Sequence, residues 1–466
     1  MAHKPRVAVV GAGFGGIAAA VAVRDDAEPV VLERGADVGG VWRDNTYPGA
    51  ACDVPSHLYS FSFAAEHRWS RRFAPQADIL AYLRRVVDAF GVGPHLRLHT
   101  EVTEARWDDD RELWRLTTGT GETVEAEVLV AACGQLTHPR RPDVPGLASF
   151  RGPVLHSARW DPGVALRGRR VAVVGSGASA VQLVPAVADE VAHLTVFARS
   201  AAHLAPKPDR RYSAVHRALF RWVPAWPRLA RTALLAVFER AGAAPVQPAP
   251  RVVRRVWDAL LRLQVRDAGL RERLRPAHPL GCRRVLVSSD WYRALRRPHV
   301  DLVTAPLTAL TPEGVATADG AVHPADVVVL ATGFEPERYI APMKVFGRDG
   351  RELSEQWRDG AGAHLGIAVP GFPNLFLVHG PNTALRVGSV VHMIECQAGY
   401  VRQAVRRIAA GVRTLEVRRE VADAFVAEMR RRHGPSPRPV THEWPGTMGE
   451  YARRTARFAD AEFLAT

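Results

Sequence analysis

The feature that most constrains the fold is a glycine loop directly after a short apolar run near the N-terminus. Residues 7–10 read Val-Ala-Val-Val, residues 11–16 read Gly-Ala-Gly-Phe-Gly-Gly, and an alanine-rich helix is predicted through Val23. A second apolar run at 30–32 ends in Glu33, about 20 residues beyond the loop. Strand, GxGxxG, helix, strand and acid follow each other here in the order of a dinucleotide-binding unit.

Each glycine of such a unit has its own role, and so has the acid. Gly11 makes the tight turn, Gly13 lets the backbone approach a pyrophosphate, and Gly16 lets the helix pack on the strand. The pyrophosphate then lies at the helix N-terminus, where N–H groups and the helix dipole favour an anion. Glu33 is expected to accept hydrogen bonds from an adenosine ribose.

The same construction occurs a second time. Residues 170–174 form a predicted strand, residues 175–180 read Gly-Ser-Gly-Ala-Ser-Ala, and a helix is predicted through Val187. The next predicted strand, at 194–197, is followed by Ala-Arg-Ser rather than by an acid. The loop residues predicted to contact the second nucleotide are Gly175, Ser176, Gly177, Ala178 and Ser179, followed after the strand by Arg199 and Ser200.

Arginine in place of the acid favours a 2′-phosphate over a free 2′-hydroxyl, so the second unit is predicted to bind NADPH. The alternative is that Arg199 is one more surface arginine of an arginine-rich chain. The first unit, with its Glu33, suits FAD. The two units therefore differ in the residue expected to contact the adenosine ribose. This difference implies two nucleotides, FAD and NADPH, in one protein.

Two further runs predict how the domains connect. The runs at 128–134 and 326–333 read as strands that end in small residues, as expected where the chain passes from one domain to the other. The second run ends Ala-Thr-Gly, and Gly333 would let backbone come close to a cofactor.

The sequence thus predicts an α/β protein with two Rossmann-like domains. Residues 1–160 and 325–466 are predicted to form a discontinuous FAD domain, and the NADPH domain at 161–324 is inserted in it. A basic helical insertion is predicted at 207–279. It is expected to be a cap over a substrate cavity or a plain structural subdomain.

Composition excludes several other classes of protein. The chain of 466 residues has a net charge of +14, but its arginines are spread along its length and no nucleic-acid module is recognisable. Its four cysteines show neither a CxxC pair nor metal-ligand spacing, which favours a reducing cytoplasm and no metal. Neither a signal peptide nor an apolar run of about 20 residues is found, so no membrane span is expected.

Two longer runs have more specific patterns. Between the two nucleotide loops stands FxGxxxHxxxW, with Phe150, Gly152, His156 and Trp160. Downstream of the first loop stands GGxWxxxxYPGxxxD, with Gly39, Gly40, Trp42, Tyr47, Pro48, Gly49 and Asp53. Both runs resemble fingerprints of one enzyme family, the type I Baeyer–Villiger monooxygenases of the flavin-containing monooxygenase superfamily. The resemblance extends over residues 1 to about 400 and is weaker beyond.

The resemblance implies a role for each matching residue. The FAD would be lined by Gly40, Val41, Trp42, Asp53 and Tyr59, with Val102 near its adenine. His156 would belong to the linker that couples the domains, or be a plain structural histidine. In the run at 281–287, Arg283 would contact the 2′-phosphate and Arg284 would lie over the flavin, held by Asp53.

The resemblance also implies the chemistry. NADPH reduces FAD, O₂ adds to the flavin as a C4a-peroxide, and one oxygen is inserted next to a ketone carbonyl to give an ester or lactone. Arg284 would stabilise the negative charges on oxygen. From the residues alone, a surface salt bridge explains Arg284 as well.

Several alternatives stay open. The same scaffold could oxygenate nitrogen or sulfur, whereas a flavin disulfide reductase needs the CxxC that is missing. A basic nucleic-acid or membrane-surface protein would not explain two nucleotide loops. The turn at 383–388 and the region at 433–446 depart from the family pattern, which leaves the substrate class open. The large helical insertion and its tryptophans favour a bulky, apolar, natural-product-like substrate. The oligomeric state is open.

Overall fold

A computed structural model describes residues 3–223, 225–243, 251–278, 284–434 and 441–466. The strands of this part of the chain are β1 Arg6–Val10, β2 Glu28–Leu32, β3 Leu96–Arg97, β4 Val102–Asp108, β5 Leu113–Thr118, β6 Thr123–Ala126, β7 Val128–Ala131, β8 Val154–His156, β9 Arg170–Val174, β10 His193–Phe197, β11 Leu204–Ala205, β12 Leu286–Val287, β13 Val300–Val303, β14 Leu307–Thr311, β15 Gly314–Thr317, β16 Val322–Pro324, β17 Val327–Leu330, β18 Lys344–Phe346, β19 Leu375–Leu377, β20 Leu415–Val417 and β21 Phe463–Ala465.

The α-helices of the same residues are α1 Phe14–Val23, α2 Val41–Asp44, α3 Gln76–Ala89, α4 Ala178–Val187, α5 Ala214–Trp222, α6 Ala225–Ala243, α7 Arg251–Gln264, α8 Ala268–Arg273, α9 Trp291–Leu295, α10 Leu353–Gln356, α11 Val390–Ala409, α12 Arg419–His433 and α13 Met448–Thr455. Short 3₁₀ turns lie at Gly93–His95, Arg348–Gly350 and Asp460–Glu462.

The first parallel sheet has β1 as its central strand. Its order is β19-β7-β1-β2-β3, and every neighbouring pair is parallel. The strands are short and apolar because a parallel sheet is covered on both faces. The core on one face is built from α1, α3 and α11, and α1 packs against α11. The predicted strands at 7–10 and 30–32 are confirmed, and the run at 128–134 forms a strand over Val128–Ala131.

The second parallel sheet repeats the arrangement around β9, in the order β13-β10-β9-β17-β8. Its glycine loop leads into α4, as predicted from the sequence. The central strands β1 and β9 both have the sequence RVAVV. Strand β1 is buried from its second residue onward, and β9 is buried from its second to its fourth residue. The fold class with two Rossmann-like sheets is therefore confirmed.

Two strands belong to the second sheet, although the predicted domain boundaries place them in the FAD domain. The prediction placed both 154–156 and 327–330 in the FAD domain, but β8 pairs with β17, and β17 pairs with β9 of the second sheet. The boundaries at 160 and 325 are wrong at these two strands. The physical reason is that strand pairing is a contact between distant parts of the chain, which an apolar run does not specify.

The remaining sheets are smaller. Strand β18 joins the antiparallel strands β4, β5 and β6, and β14, β15 and β16 form an antiparallel meander. The predicted insertion at 207–279 is helical in its described residues, where it holds α5 to α8. No helix in the described ranges combines the length and apolar character of a membrane span.

Candidate active site

A cavity lies where four strands of the first sheet end. Its volume is about 210 Å³, and its walls include the residues directly after the carboxyl ends of β1, β2, β7 and β19. Open parallel sheets bind their ligands at this edge. The predicted FAD-contacting residues that line the cavity are Gly11, Gly13, Glu33, Gly40, Val41, Tyr59 and Val102.

The glycine loop leaves room for a pyrophosphate. Gly11 has a φ of +102°, and a Cβ there would lie 2.6 Å from the carbonyl oxygen of Ala132. A Cβ at Gly13 would instead meet little more than the Cα of Gly40, 3.7 Å away. Gly13 caps α1 without a side-chain hydrogen bond, so the first N–H groups of the helix have no side-chain cap. The loop therefore fits the phosphates of a dinucleotide.

Gly16 does not line the cavity. A Cβ at Gly16 would lie 1.7 Å from the carbonyl oxygen of Gly11 and in contact with Val9. The glycine thus lets α1 pack closely on the loop and on β1, which is the role predicted for it.

Glu33 is buried at the end of β2 and already holds three of the chain's own donors. It accepts hydrogen bonds from the backbone N–H groups of Ala12 at 2.8 Å and Gly35 at 2.7 Å, and from Arg43 Nη1 at 2.6 Å. A carboxylate has about four lone-pair sites, so a ribose hydroxyl can still bind. Glu33 is therefore both a fixed part of the loop and an available acceptor.

Arg43 is a functional candidate that the sequence reasoning missed. Burial opposes its charge, but hydrogen bonds to Asp44 and Glu33 raise its pKa above the usual value. Its only signal in the sequence is a basic residue inside the GGxW run. The Arg43 guanidinium places a permanent positive charge beside the cavity.

Trp42 supports the cavity from outside. Its indole Nε1 donates a hydrogen bond to the hydroxyl oxygen of Tyr59 at 3.1 Å, and the two rings meet edge to face at 5.6 Å. Burial raises the pKa of Tyr59 far above its usual value, so its hydroxyl is neutral. The sequence predicted that Trp42 lines the FAD, but in the structure Trp42 supports Tyr59 and is not itself part of the cavity wall.

The second glycine loop has an open face. Gly177 caps α4 without a side-chain hydrogen bond, and a Cβ there would meet no other residue within 4 Å. Ser176 Oγ donates a hydrogen bond to the carbonyl oxygen of Ser200 at 2.7 Å, which joins the loop to the end of β10. Arg199 is exposed beside it. The structure thus brings together Gly175, Ser176, Gly177, Ala178, Ser179, Arg199 and Ser200.

Two predicted residues of this site stand apart. Gly333 follows β17 with a φ of +84°, and its carbonyl oxygen accepts a hydrogen bond from the N–H of Arg140 at 2.8 Å. Arg283 lies outside the described residues.

The fingerprint between the two loops is built into the second sheet. Phe150 is buried against Leu310, and Trp160 packs on the core of the second sheet. A Cβ at Gly152 would lie 2.1 Å from the carbonyl oxygen of Asp326, so the backbone passes close there. These three residues therefore shape the connection between the sheets.

His156 lies at the end of β8 and is held by its neighbours. Its Nδ1 accepts a hydrogen bond from the N–H of Ala158 at 3.0 Å, and its Nε2 lies 3.4 Å from Thr332 Oγ1. Burial lowers its pKa, so the ring is neutral. A fixed neutral imidazole fits a structural part of the linker.

The run at 39–53 joins the two nucleotide folds. Tyr47 donates a hydrogen bond from its hydroxyl to Gln182 Oε1 at 2.8 Å, and Gln182 Nε2 donates to the carbonyl oxygen of Ala51 at 2.9 Å. Gln182 belongs to α4, the helix that begins at the second glycine loop. One end of the run therefore lines the first cavity, and its other end is bonded to the second fold.

The predicted catalytic pair is formed. Arg284 Nη2 donates a hydrogen bond to Asp53 Oδ2 at 2.7 Å, with 47% of the arginine side chain and 27% of the aspartate side chain exposed. Both partners are thus open to a ligand. Arg284 follows the helical insertion in the chain, and the ion pair connects it to the end of the run at 39–53.

Lys207 is a second residue that the sequence reasoning missed. Burial lowers its pKa, with Asp209, Cys52 and Asp53 acting in the opposite direction. Its ammonium lies 5.1 Å from the ring centroid of Phe73. Its only signal in the sequence is the scarcity of lysine, with three in the chain.

Comparison with known proteins agrees with this geometry. The family described as FMO-like, flavin-binding monooxygenase-like, matches residues 4–207. A Baeyer–Villiger monooxygenase of Streptomyces coelicolor is 42% identical over 98% of this chain and 92% of its own length. One of Pseudomonas aeruginosa is 36% identical over 100% of this chain and 92% of its own length.

Solved structures agree as well. A steroid monooxygenase bound to NADP is 31% identical, with a TM-score of 0.89 over 99% of each chain. A complex of OTEMO with FAD and NADP is 26% identical, with a TM-score of 0.89 over 100% of each chain.

The fold has two parallel sheets, each with its own glycine loop, and the chain matches the flavin-binding monooxygenase-like family. Together they define a flavin-binding monooxygenase with two nucleotide sites. The identities of 42% and 36% to two Baeyer–Villiger monooxygenases, over 98% and 100% of this chain, define a narrower family within this class. The chain belongs to the Baeyer–Villiger monooxygenases. The predictions of FAD and NADPH as cofactors and of this monooxygenase activity are confirmed.

Proposed function

We propose that Arg284, oriented by Asp53, is the positive charge that stabilises oxygen transfer to a ketone. The observation that carries this proposal is the 2.7 Å hydrogen bond between the two side chains, at the end of the run that also lines the first cavity. A guanidinium stays charged at any relevant pH, and a carboxylate partner fixes its direction. Such a preorganised donor stabilises negative charge as it develops on the carbonyl oxygen of the substrate.

The first cavity is the proposed FAD site. Bound FAD, reduced by NADPH, supplies the electrons and the site at which O₂ is activated. Glu33 accepts a hydrogen bond from the adenosine ribose, and Arg43 holds that carboxylate in place. The residues proposed to hold the rest of the group are Gly11, Gly13, Gly40, Val41, Tyr59 and Val102.

The second glycine loop is the proposed NADPH site. Open space at Gly177 lets the pyrophosphate approach the N-terminus of α4. Exposed Arg199 pairs with no carboxylate in the described part of the chain, so it is available for a 2′-phosphate. Arg283 and Gly333 stay predicted contacts, and Lys207 joins them as a buried positive charge beside Asp53.

His156 and the fingerprint around it have a positioning role in this proposal. The neutral ring fixes the end of β8 against Thr332, next to the predicted contact at Gly333. The proposed domain division follows the sheets: an NADPH domain at about 144–330, inserted in a FAD domain formed by the flanking segments.

The proposed substrate is a bulky apolar ketone of natural-product type, oxidised in the cytoplasm. Apolar side chains of Met343, Val378, Val390 and Ile394 line the cavity together with the predicted FAD residues. The free thiols of Cys52, Cys133 and Cys396 in the described residues suit a reducing compartment.

Spectroscopy of the purified protein tests this proposal. The protein should be yellow, lose its flavin absorbance with NADPH in the absence of O₂, and regain it when O₂ is admitted. Assays with a panel of bulky cyclic ketones and one thioether then test the substrate class. Ester or lactone from the bulky ketones supports the proposal, whereas sulfoxide as the sole product would contradict the assigned role of Arg284.

A further inference from the structure

The helical insertion exposes large apolar side chains that are not buried against the rest of the described chain. Helix α6 faces the protein with Pro227, Arg231, Leu234 and Phe238, which are buried or half-buried. Its opposite face is exposed and also apolar, with Trp226, Leu229, Ala233, Ala236 and Val237 at helical spacing. Two opposite apolar faces on one helix indicate that the exposed face is buried against a further partner.

Neighbouring helices of the insertion repeat the pattern. On α5 the exposed residues Val215, Ala218 and Trp222 share one face, and on α7 the exposed residues Val252, Val256, Ala259 and Leu263 do so. The exposed fractions are large: 75% for Trp222, 63% for Leu229, 60% for Val237, 67% for Val252 and 76% for Leu263. Isolated exposed apolar residues are ordinary, but α5 and α6 contact each other and pack on the same core through Phe220, Leu234 and Phe238, so their exposed faces form one patch. We call the exposed faces of α5 and α6 the outer helical surface.

The exposed charged residues of α5 and α6 are all arginines. Exposed arginines flank the apolar faces at Arg217, Arg221, Arg228 and Arg240. None of them is paired with a carboxylate in the described part of the chain. The only acid of these two helices, Glu239, is turned inward and accepts a hydrogen bond from the N–H of Gly449 at 3.0 Å.

Helix α6 is also fixed in place. Arg231 is buried and donates a hydrogen bond to Glu395 Oε2 of α11 at 2.6 Å and another to the carbonyl oxygen of Leu58 at 3.2 Å. Glu395 Oε1 in turn accepts hydrogen bonds from the backbone N–H of Ser62 at 2.6 Å and from its hydroxyl at 2.7 Å. The outer face is therefore held outward by a buried ionic contact, and its apolar residues cannot turn inward without breaking it.

We propose that the outer helical surface binds the enzyme peripherally to a lipid bilayer that contains anionic headgroups. Tryptophan and aliphatic side chains enter the interface between headgroups and acyl chains, and flanking arginines pair with the phosphates. A second copy of this chain would place the same unpaired arginines against each other, which disfavours a symmetric contact. The charge pattern thus matches an anionic surface.

Co-sedimentation of the FAD-loaded protein with vesicles tests the proposal. Binding is expected to vesicles of equal parts phosphatidylglycerol and phosphatidylcholine, to fall steeply with added salt, and to be at least tenfold weaker with phosphatidylcholine alone. The variant W222S/W226S/L229S should lose binding at least tenfold, and so should R217Q/R221Q/R228Q/R240Q. Matched changes of exposed residues elsewhere, V322S/L464S and R115Q/R151Q/R413Q/R419Q, should leave it unchanged.

FAD content and the melting temperature establish that each variant is folded. If the native protein binds neither vesicle, the proposal is wrong. If it instead forms a dimer that the tryptophan variant abolishes, the surface contacts a second copy and the proposal is also wrong. Vesicle binding that both sets of variants leave intact would assign the membrane contact to another surface.

Discussion

The two nucleotide folds of this enzyme share the backbone geometry of the glycine loop and differ in the side chain that follows the second strand of each fold. Both central strands have the sequence RVAVV, both first glycines have positive φ, and both helices begin after an extended glycine with φ of −80°. After the next strand the first fold has buried Glu33, held by three hydrogen bonds, and the second has exposed Arg199. The phosphate cradle is thus a property of the backbone, whereas the choice of nucleotide depends on a single residue and its surroundings.

The largest expected effect concerns the residue pair between the folds. In Arg284→Ala the charge that stabilises the substrate oxygen is lost, and formation of ester or lactone should fall about 100- to 1000-fold. Reduction of the flavin by NADPH should change only a few-fold, because neither glycine loop is altered. Stopped-flow absorbance and product analysis measure the two steps separately. Arg284→Lys keeps a charge and should retain part of the activity; undiminished product in the alanine variant would refute the role.

The second largest effect is expected at Glu33, the residue proposed to contact the ribose of FAD. Glu33→Gln replaces one acceptor oxygen by an amide and leaves buried Arg43 without its full partner, which should destabilise the protein by about 3 kcal/mol. FAD content of the purified protein and its melting temperature are the measurements. Glu28→Gln, at the exposed start of the same strand, is the control. Equal FAD content in both variants would mean that the first fold does not depend on its acid.

A smaller effect is expected at Arg199, the residue proposed to contact the 2′-phosphate of NADPH. Arg199→Ala removes a charge–phosphate contact and should raise the KM for NADPH about tenfold, with little change for NADH. Its exposure predicts that the melting temperature stays the same. Steady-state kinetics with both nucleotides measures this, beside Arg167→Ala as a control exposed ahead of β9. An equal effect on both nucleotides would contradict recognition of the 2′-phosphate.

The smallest effect is expected where the two folds touch. Tyr47→Phe removes one hydrogen bond to Gln182, about 1 kcal/mol, and should slow flavin reduction by NADPH a few-fold without loss of FAD. Tyr292→Phe removes a buried hydroxyl that has no partner in the described residues, and it serves as the control. If the two variants behave alike, the contact does not couple the folds.

What could be predicted from the sequence was local. The glycine loops, Glu33 and the buried strands depend on neighbouring residues, and their positions were confirmed. The membership of β8 and β17 in the second sheet was not predictable, because it depends on pairing across about 170 residues of chain. Lys207 was missed for a related reason: the groups that act on its pKa include Cys52 and Asp53, which are distant in sequence. Arg43 was missed although Glu33 and Asp44 are near it in sequence, because the residue pattern does not specify the direction of its side chain.

The hydrogen bonds between Gln182 and the run at 39–53 have a consequence for protein engineering. A chimera that takes its second sheet from a relative will pair a foreign α4 with the native Tyr47 and Ala51. Cofactor exchange by domain swapping should therefore succeed only when the graft carries residues 45–53 from the same parent as α4, although those residues lie more than a hundred positions away in the chain.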